Sequence, residues 1–219
     1  PWRGGILIEE KMPQKGASPA AGKTEAYSPA TPVNSAVPQI KMVSDVEILK
    51  KDIQKLLLDF PGEGGMAFYD YQNGESILIN PDESFESASL IKIPIMYEIF
   101  RQIQEGIIPE DKELILQDSM KTGGAGVLKD EPSGSKWKIK DLISLMITKS
   151  DNTACDMLIE LAGMENVEKT AVALGAKDFT LRRKVYDFAQ IDQGKDNYAT
   201  PRDMLAILRA VTENKGVDE

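Results

Sequence analysis

The sequence contains no histidine and only one cysteine, Cys155. The lack of histidine excludes Ser-His-Asp triads, Cys-His proteases and histidine-ligated zinc sites. A single cysteine forms neither an intramolecular disulfide nor a cysteine-rich metal site. If this protein is a hydrolase, its general base must therefore be a lysine or a carboxylate.

Long apolar runs and dense basic clusters are also missing. No segment is apolar over a length that could cross a membrane, and none has the pattern of a signal peptide. The net charge of −9 over 219 residues argues against nucleic acid as a partner. With 42% hydrophobic residues, the chain can nevertheless bury a sizeable core.

Two regions of different composition follow one another along the chain. Residues 1–43 are rich in Pro, Ala, Ser, Thr and Lys, so we expect a flexible linker of the extracytoplasmic type. A linker of this kind often follows a membrane anchor, which here would lie upstream of the sequence. We expect residues 44–219 to form the folded domain.

Within this domain, helix and strand signals alternate. A capping box at Ser44 and Glu47 predicts a helix that ends near Phe60. Asn73-Gly74 predicts a type I′ hairpin turn between two antiparallel strands, residues 66–71 and 75–80. Further helices are predicted over residues 138–149, 152–161 and 167–174 and from Pro201 onwards, whereas residues 176–200 show no period and indicate a long, functional loop.

The domain is organised around the stretch Phe85–Phe100. Its apolar residues are too dense for a surface helix, so we expect a helix buried in the centre of the domain. The stretch nevertheless carries Ser89 and Lys92, whose spacing puts them on one helix face and within hydrogen-bonding range. Burial disfavours an ammonium group, so such a lysine has a lowered pKa and can activate the serine as a nucleophile.

The Ser-x-x-Lys pattern alone is weak evidence, because it recurs at Ser133/Lys136 and Ser135/Lys138 in a polar loop. A second motif, Lys149–Ala154, lies between two predicted helices and contains Ser-Asp-Asn. These three residue types cap helices, so the motif could be only a tight turn between helices. Alternatively, the turn is drawn into the interior, where its serine passes a proton and its asparagine amide both donates and accepts hydrogen bonds.

Together, Ser89-Leu90-Ile91-Lys92 and the later Ser150-Asp151-Asn152-Thr153-Ala154 resemble the class A serine β-lactamases and the penicillin-binding proteins related to them. The resemblance implies an α/β (α+β) fold of the β-lactamase/transpeptidase type, in which a mostly helical subdomain flanks an antiparallel sheet. It implies that Ser89 is the acylated nucleophile, with its own N–H in the oxyanion hole, and that Lys92 is the base for acylation. Ser150 would relay a proton to the β-lactam nitrogen, and Asn152 would contact the amide side chain of the substrate.

The carboxyl-terminal part of the domain departs from the family pattern. Lys121-Thr122-Gly123 precedes the Ser-Asp-Asn turn, whereas the family's Lys-Thr/Ser-Gly motif lies on a later strand, so we interpret the tripeptide as unrelated to it. That later strand would lie beyond residue 219. We therefore expect an incomplete domain, which holds only the N-terminal hairpin of the sheet and the helical part.

The 176–200 loop departs as well. Val185 occupies the position where the resemblance places the glutamate that activates the deacylating water. Asn197 occupies the position of the aspartate that pairs with Arg183. Asp187, two residues after Val185, is the candidate substitute for the missing glutamate, although its side chain would point in a different direction. Because valine accepts no proton, we expect deacylation to be slow.

The leading hypothesis is a serine hydrolase that forms an acyl-enzyme with β-lactams and deacylates slowly. The alternatives are a penicillin-binding or sensor module, and a non-catalytic cell-wall-associated domain that retains the motifs. The expected partner is a small β-lactam or a D-Ala-D-Ala-like peptide, and the resemblance implies neither a metal nor an organic cofactor. We expect an extracytoplasmic monomer, either secreted or tethered to the cell surface.

Overall fold

The computed structural model describes residues 45–213, so the expected linker and Ser44 of the predicted capping box lie outside the described residues. In this part of the chain the helices are α1 (Asp45–Leu58), α2 (Lys92–Gln104), α3 (Ile139–Thr148), α4 (Asn152–Ala162), α5 (Met164–Ala173), α6 (Phe188–Ile191) and α7 (Pro201–Thr212). The strands are β1 (Met66–Tyr69), β2 (Ser76–Ile79), β3 (Phe85–Glu86), β4 (Glu113–Ile115), β5 (Lys136–Lys138) and β6 (Tyr198–Ala199). None of the helices within residues 45–213 is long and apolar enough to cross a membrane.

The helices predicted from apolar periodicity are confirmed as α1, α3, α4, α5 and α7. The last of them begins at Pro201, as expected for a proline at the first helical position. The Thr200 hydroxyl accepts a hydrogen bond from the Asp203 N–H, and the Asp203 carboxylate accepts one from the Thr200 N–H. This reciprocal capping fixes the point at which the preceding loop joins α7.

The predicted hairpin of β1 and β2 is confirmed, but the type I′ turn is wrong. A type I′ turn needs a positive φ at both central residues, and Gly74 has a φ of 75° whereas Asn73 is not in the left-handed region. The Gly74 N–H instead donates to the Asp70 carbonyl at 2.8 Å, which closes a longer loop. The side chains of Asp70 and Asn73 accept from the N–H groups of Gln72 and Glu75, and these local bonds stabilise the longer loop.

Two short strand pairs were not predicted. Strand β4 pairs with β5, and β3 pairs with β6, both in antiparallel register. The β3–β6 pair joins the beginning of the central stretch to the end of the loop over residues 176–200. That loop, which showed no period, therefore contains β6 and the short helix α6. Pairs of two or three residues between distant segments leave no periodic signal in the sequence.

The central stretch is divided between a 3₁₀ turn, Ala88–Ile91, and helix α2. Ser89 therefore precedes the α-helix and does not lie within it. Side chains of α2 fill the core, where Ile95 and Ile99 are fully buried against α3, α4 and α5. The expectation that the whole apolar run is buried is only partly correct, because Leu90 is half-exposed on the other side of the turn.

Candidate active site

Three elements bring the predicted site residues together. The 3₁₀ turn before α2 carries Ser89, the first turn of α2 carries Lys92, and the α3–α4 turn carries Ser150 and Asn152. The Oγ atoms of Ser89 and Ser150 are 3.3 Å apart. The Lys92 Nζ lies 2.8 Å from the Ser150 Oγ, 2.7 Å from the Ser150 carbonyl oxygen and 3.0 Å from the Asn152 Oδ1. A continuous series of hydrogen bonds thus connects all four residues.

The expected direct hydrogen bond between Ser89 and Lys92 is not formed among the described residues. The Ser150 hydroxyl is instead within hydrogen-bonding distance of both side chains. The ammonium group has three N–H donors, and three acceptors on the α3–α4 turn take them. In this arrangement the Ser150 hydroxyl can pass a proton between Ser89 and Lys92.

The amine of Lys92 is buried with little charge compensation. The residue is 4% exposed, and its hydrogen-bond acceptors are two carbonyl-type oxygens and a hydroxyl. Desolvation by burial lowers the pKa of Lys92, although Cys155, Asp151 and Asp156 nearby favour the charged form. Once neutral, the amine can accept a hydrogen bond from the Ser150 hydroxyl. The same burial raises the pKa of the Cys155 thiol to about 12, so this cysteine is not a thiolate nucleophile at neutral pH.

The backbone is strained at Ala88, the residue before Ser89, and at Ser150 itself. Ala88, which precedes Ser89, has a φ of 44°, and Ser150 has a φ of 52°. Residues with a Cβ populate this left-handed region sparsely, at a cost of about 1–2 kcal/mol each. At the second position, the Asp151 N–H donates to the Leu145 carbonyl at 3.2 Å, which ties the strained turn back to α3. The surrounding fold therefore holds Ala88 and Ser150 in conformations that the isolated chain would avoid.

Asp151 holds the α3–α4 turn in place. The carboxylate is fully buried, and its Oδ1 accepts from the Ala154 N–H at 2.9 Å, which caps helix α4. Its Oδ2 accepts from the N–H groups of Val127 and Leu128 at 2.6 and 2.9 Å. A Cβ on Gly126 would overlap the Asp151 side chain, so only glycine fits at that position. The motif is thus both a capping turn and the framework of the site.

The segment before Gly126 forms one wall of the site. The Asn152 Nδ2 donates to the Gly123 carbonyl at 3.0 Å, and the Asn152 backbone N–H donates to the Ala125 carbonyl at 3.1 Å. Lys121 forms an ion pair with Asp118 at 2.8 Å, and within the described part of the chain it forms no hydrogen bond or ion pair with Ser89 or Lys92. The prediction that Lys121-Thr122-Gly123 is not on a strand is therefore confirmed.

Sequence reasoning nevertheless missed that this segment belongs to the site. The glycines at 123, 124 and 126 could have indicated it, because glycines are common where the backbone is approached closely.

Arg183 pairs with an aspartate one residue before Asn197, the position where the resemblance places that aspartate. Its guanidinium binds Asp196, with Nε at 2.9 Å and Nη2 at 2.7 Å from the Oδ1. The Asn197 side chain instead binds the loop backbone, since it accepts from the Arg183 N–H and donates to the Arg183 carbonyl. Asp187, the candidate substitute for the glutamate, accepts a hydrogen bond from the Gln190 N–H at 3.2 Å and caps α6. The Arg183 ion pair is therefore formed with Asp196, one residue before the position at which the resemblance places the aspartate.

Val185 lies beside a carboxylate that the sequence analysis overlooked. Its side chain packs against the core, and its N–H donates to the Asp156 Oδ1 at 2.9 Å. The Asp156 Oδ2 accepts from the Thr122 hydroxyl at 2.7 Å, so this carboxylate joins both loops of the site to α4. Burial raises the pKa of Asp156. The spacing of four residues from Asn152 on one helix was the available signal.

The described residues contain no group of three or more histidine, cysteine or acidic side chains that could hold a metal ion. The polar groups at the centre of the site are two hydroxyls, one amine and one amide. Such a set can move protons and bind a carbonyl or an amide, and it matches an acyl-transfer site.

A sequence model of the β-lactamase enzyme family matches residues 48–219. The chain belongs to this family. It is 24% identical over 155 residues to β-lactamase VEB-1 from Pseudomonas aeruginosa, a match that covers 69% of the chain and 52% of the relative. It is 25% identical over 145 residues to the β-lactamase regulatory protein BlaB from Streptomyces cacaoi, covering 66% of the chain and 46% of the relative. The chain thus spans about half the length of these curated relatives.

Solved structures agree with this assignment. A β-lactamase from Sphaerobacter thermophilus DSM 20745 superposes with a TM-score of 0.71 at 28% identity, covering 77% of this chain and 64% of that one. PBP-A superposes with a TM-score of 0.70 at 25% identity, covering 78% of this chain and 63% of that one. The fold is therefore of the β-lactamase/transpeptidase type, as the sequence predicted.

Proposed function

We propose that this protein is a serine hydrolase that is acylated by β-lactams at Ser89 and releases the acyl group slowly. The observation that carries the proposal is the series Ser89 Oγ, Ser150 Oγ and Lys92 Nζ, each within hydrogen-bonding distance of the next. Family membership supports a β-lactam as the ligand, because several relatives are named β-lactamases. A PBP-A variant has been solved as an acyl-enzyme complex with penicillin G.

Acylation follows from the order of these groups. A neutral Lys92 accepts the hydroxyl proton of Ser150, Ser150 accepts the proton of Ser89, and the Ser89 Oγ bonds to the β-lactam carbonyl carbon. We assign the backbone N–H of Ser89 to the stabilisation of the developing oxyanion. As the carbonyl carbon–nitrogen bond breaks, Ser150 donates its proton to the leaving nitrogen and regains one from Lys92. No proton is gained or lost overall in this step.

Asn152 supports binding of the acyl amide. Its Oδ1 accepts from Lys92, and one N–H of its amide donates to Gly123. The second N–H of the amide makes no hydrogen bond among the described residues, and it can donate to a substrate carbonyl. Because both other positions are fixed, the direction of this donor is set before the substrate arrives.

Slow deacylation is proposed because Val185 supplies no base. The carboxylate beside it, Asp156, already accepts hydrogen bonds on both oxygens, from Val185 and Thr122. Loss of a positioned general base costs about 10²- to 10⁴-fold in rate. The same observation favours a second candidate, a penicillin-binding or sensor module, in which the acyl-enzyme is the end of the reaction. A D-Ala-D-Ala-like peptide is the alternative acyl donor in that case.

We also propose an extracytoplasmic location, secreted or tethered to the cell surface, and a monomeric state. The location follows from the family membership and from the linker expected over residues 1–43. A non-catalytic cell-wall-associated role remains the third candidate, and it predicts no covalent labelling.

Labelling with a fluorescent penicillin tests the proposal. We expect one adduct per chain, located by mass spectrometry on Ser89, and no adduct in Ser89→Ala. Ser133→Ala is the matched control, since Ser133 belongs to the same Ser-x-x-Lys pattern on an exposed loop. A label that persists in Ser89→Ala, or no label on the unmodified protein, would contradict the assignment.

Hydrolysis of a chromogenic cephalosporin separates the first two candidates. The slow hydrolase predicts a stoichiometric burst followed by slow turnover, whereas the sensor module predicts the burst alone. Fast linear turnover without a burst would show that another group activates the deacylating water.

A further inference from the structure

The wall segment, residues 123–126, lies beside Asn152 and contains three glycines. It belongs to no helix or strand, and φ is 81° at Gly124 and 110° at Gly126. Glycine loses more conformational freedom on folding than any other residue. A segment of this composition therefore keeps one shape only where specific contacts hold its backbone.

All four carbonyl groups of the wall segment accept a hydrogen bond. The first and third accept from Asn152, from the side-chain Nδ2 at 3.0 Å and from the backbone N–H at 3.1 Å. The second and fourth accept from the Lys129 Nζ, at 2.9 and 2.7 Å. Successive carbonyls are thus bound alternately by Asn152 and by Lys129, so these two residues hold the segment between them.

Lys129 lies in the 3₁₀ turn Leu128–Asp130, directly after the wall segment. Its side chain is 32% exposed, and its carboxylate partner Asp130 is 3.8 Å away and 77% exposed. A surface ion pair of this kind contributes little to stability. The two carbonyls are closer, and hydrogen bonds from an ammonium group are stronger than those between neutral groups. The main contacts of the Lys129 ammonium group are therefore with the wall segment.

The wall segment in turn fixes the Asn152 side chain. The amide of Asn152 is held at two points, the Oδ1 by Lys92 and the Nδ2 by the first carbonyl of the segment. We propose that Lys129 is a positioning residue, which holds the wall segment and thereby directs the second N–H of the Asn152 amide towards the substrate. The inference rests on the proposed function, in which that N–H donates to the acyl amide carbonyl of the substrate. Lys129 acts through the wall segment and Asn152, and not on the reacting atoms.

Acylation by two penicillins tests this inference. Benzylpenicillin carries an acyl amide, whereas 6-aminopenicillanic acid has a free amine in its place and offers Asn152 no acyl carbonyl. Lys129→Met keeps the length of the side chain but removes its donors. We expect it to lower the second-order acylation rate constant of benzylpenicillin by about three- to tenfold, the contribution of one net hydrogen bond. The rate constant of 6-aminopenicillanic acid should stay the same. Lys129→Arg keeps the charge and the donors, and it should recover part of the loss.

A double-mutant cycle distinguishes positioning from a general structural effect. In an Asn152→Ala background, Lys129→Met should cause no further loss with benzylpenicillin, because the amide that Lys129 positions is gone. Lys121→Met is the matched control, since Lys121 lies two residues before the wall segment, has a side chain that is 24% exposed and binds Asp118 instead. This control removes the same charge and should leave the ratio of the two rate constants unchanged.

Amide hydrogen exchange followed by NMR gives a readout that needs no acylation. The Asn152 N–H, which donates to the third carbonyl of the wall segment, should exchange about three- to tenfold faster in Lys129→Met. The Ala154 N–H, which donates to Asp151 in the same turn, should exchange at its former rate.

Three results would overturn the inference and leave the proposed function intact. They are an equal loss for both penicillins, a full further loss in the Asn152→Ala background, and unchanged exchange at Asn152. If neither penicillin acylates the unmodified protein, the proposed function fails, and the exchange at Asn152 alone decides whether Lys129 holds the wall segment.

Discussion

The helices α2 to α5 and the region of α1 with the β1–β2 hairpin differ in how they bury apolar side chains. In the helical region, Leu142 and Leu158 are completely buried. In α1, Leu56 is 71% exposed and Leu58 is 85% exposed. Among the described residues β1 pairs with β2 alone, so its second edge presents unpaired backbone groups. A groove of about 470 Å³ runs beside this edge and is lined mainly by apolar residues such as Met66, Phe85, Leu90, Met204 and Leu208.

The site lies on the boundary between these two regions. Lys92, Ser150 and Asn152 belong to the well-packed helices, whereas Leu90, next to Ser89, lines the open groove. The hydrogen bonds of Lys92 to Ser150 and Asn152 thus lie among the packed helices. The comparison shows that one part of a chain can be tightly packed and hold the site in place while a neighbouring part is loosely packed. Three experiments can sharpen or break this comparison.

The largest effect is expected from Lys92→Arg, on the well-packed side. Arginine keeps the positive charge but does not deprotonate, so it cannot accept the Ser150 proton. Acylation of Ser89 should fall by about two to four orders of magnitude, as measured by the rate of penicillin labelling. Lys138→Arg is the control, because Lys138 belongs to another Ser-x-x-Lys pattern and is exposed on β5. Near-normal acylation in Lys92→Arg would mean that a different residue is the base.

A smaller effect is expected when a leucine is replaced by alanine, once in each region. The two variants compare the packing of the regions directly. Leu158→Ala in α4 opens a cavity in the core and should lower the free energy of unfolding by about 2–5 kcal/mol. Leu58→Ala in α1 removes an exposed side chain and should change it by no more than about 0.5 kcal/mol. Urea denaturation of both variants measures the difference. Similar losses at both positions would show that α1 is as tightly packed as α4 and would remove the contrast.

The sequence predicted the features that depend on neighbouring residues, and it missed those that depend on contacts between distant residues. Helices α3 and α4 are local patterns that were found from apolar spacing, and the two serine motifs are local patterns that were recognised from the family resemblance. The partner of Arg183 was missed because Asp196 and Asn197 exchange roles through backbone contacts of the loop. Asp156 was missed because its partners, Thr122 and Val185, come from distant loops.

The hydrogen bonds that connect Ser89 to Lys92 could not be predicted from the sequence either. Spacing on one helix placed Ser89 and Lys92 together, but it did not show that Ser150 lies between them. That position depends on the left-handed backbone of Ser150, which is set by the packing of α3 against α4. At a strained residue, tertiary packing outweighs the local conformational preference of the chain. Here that residue is Ser150, which connects Ser89 to Lys92.

The smallest effect is a pH dependence of stability from Lys92. Because burial lowers the pKa of Lys92 in the folded protein, the unfolded chain binds one more proton between that value and about 10.4. Stability from this residue therefore rises with pH across that window and is lost as pH falls, by at most about 1.4 kcal/mol per pH unit. The buried Cys155 thiol acts in the opposite direction, since its raised pKa favours unfolding above about pH 8.5.

The measurement is therefore made in a Cys155→Ala background. The free energy of unfolding is measured by urea denaturation at steps of about one pH unit between about pH 7 and pH 10. Lys92→Met, which fills the same buried space without a charge, should remove the upward slope of the unfolding free energy. Lys55→Met, at an exposed lysine of α1, should leave the slope as it is. If the slopes of the parent and Lys92→Met coincide, the amine keeps its ordinary affinity for protons in the folded protein. The well-packed region would then not prepare Lys92 as a base, and the contrast with the hairpin region would have no catalytic meaning.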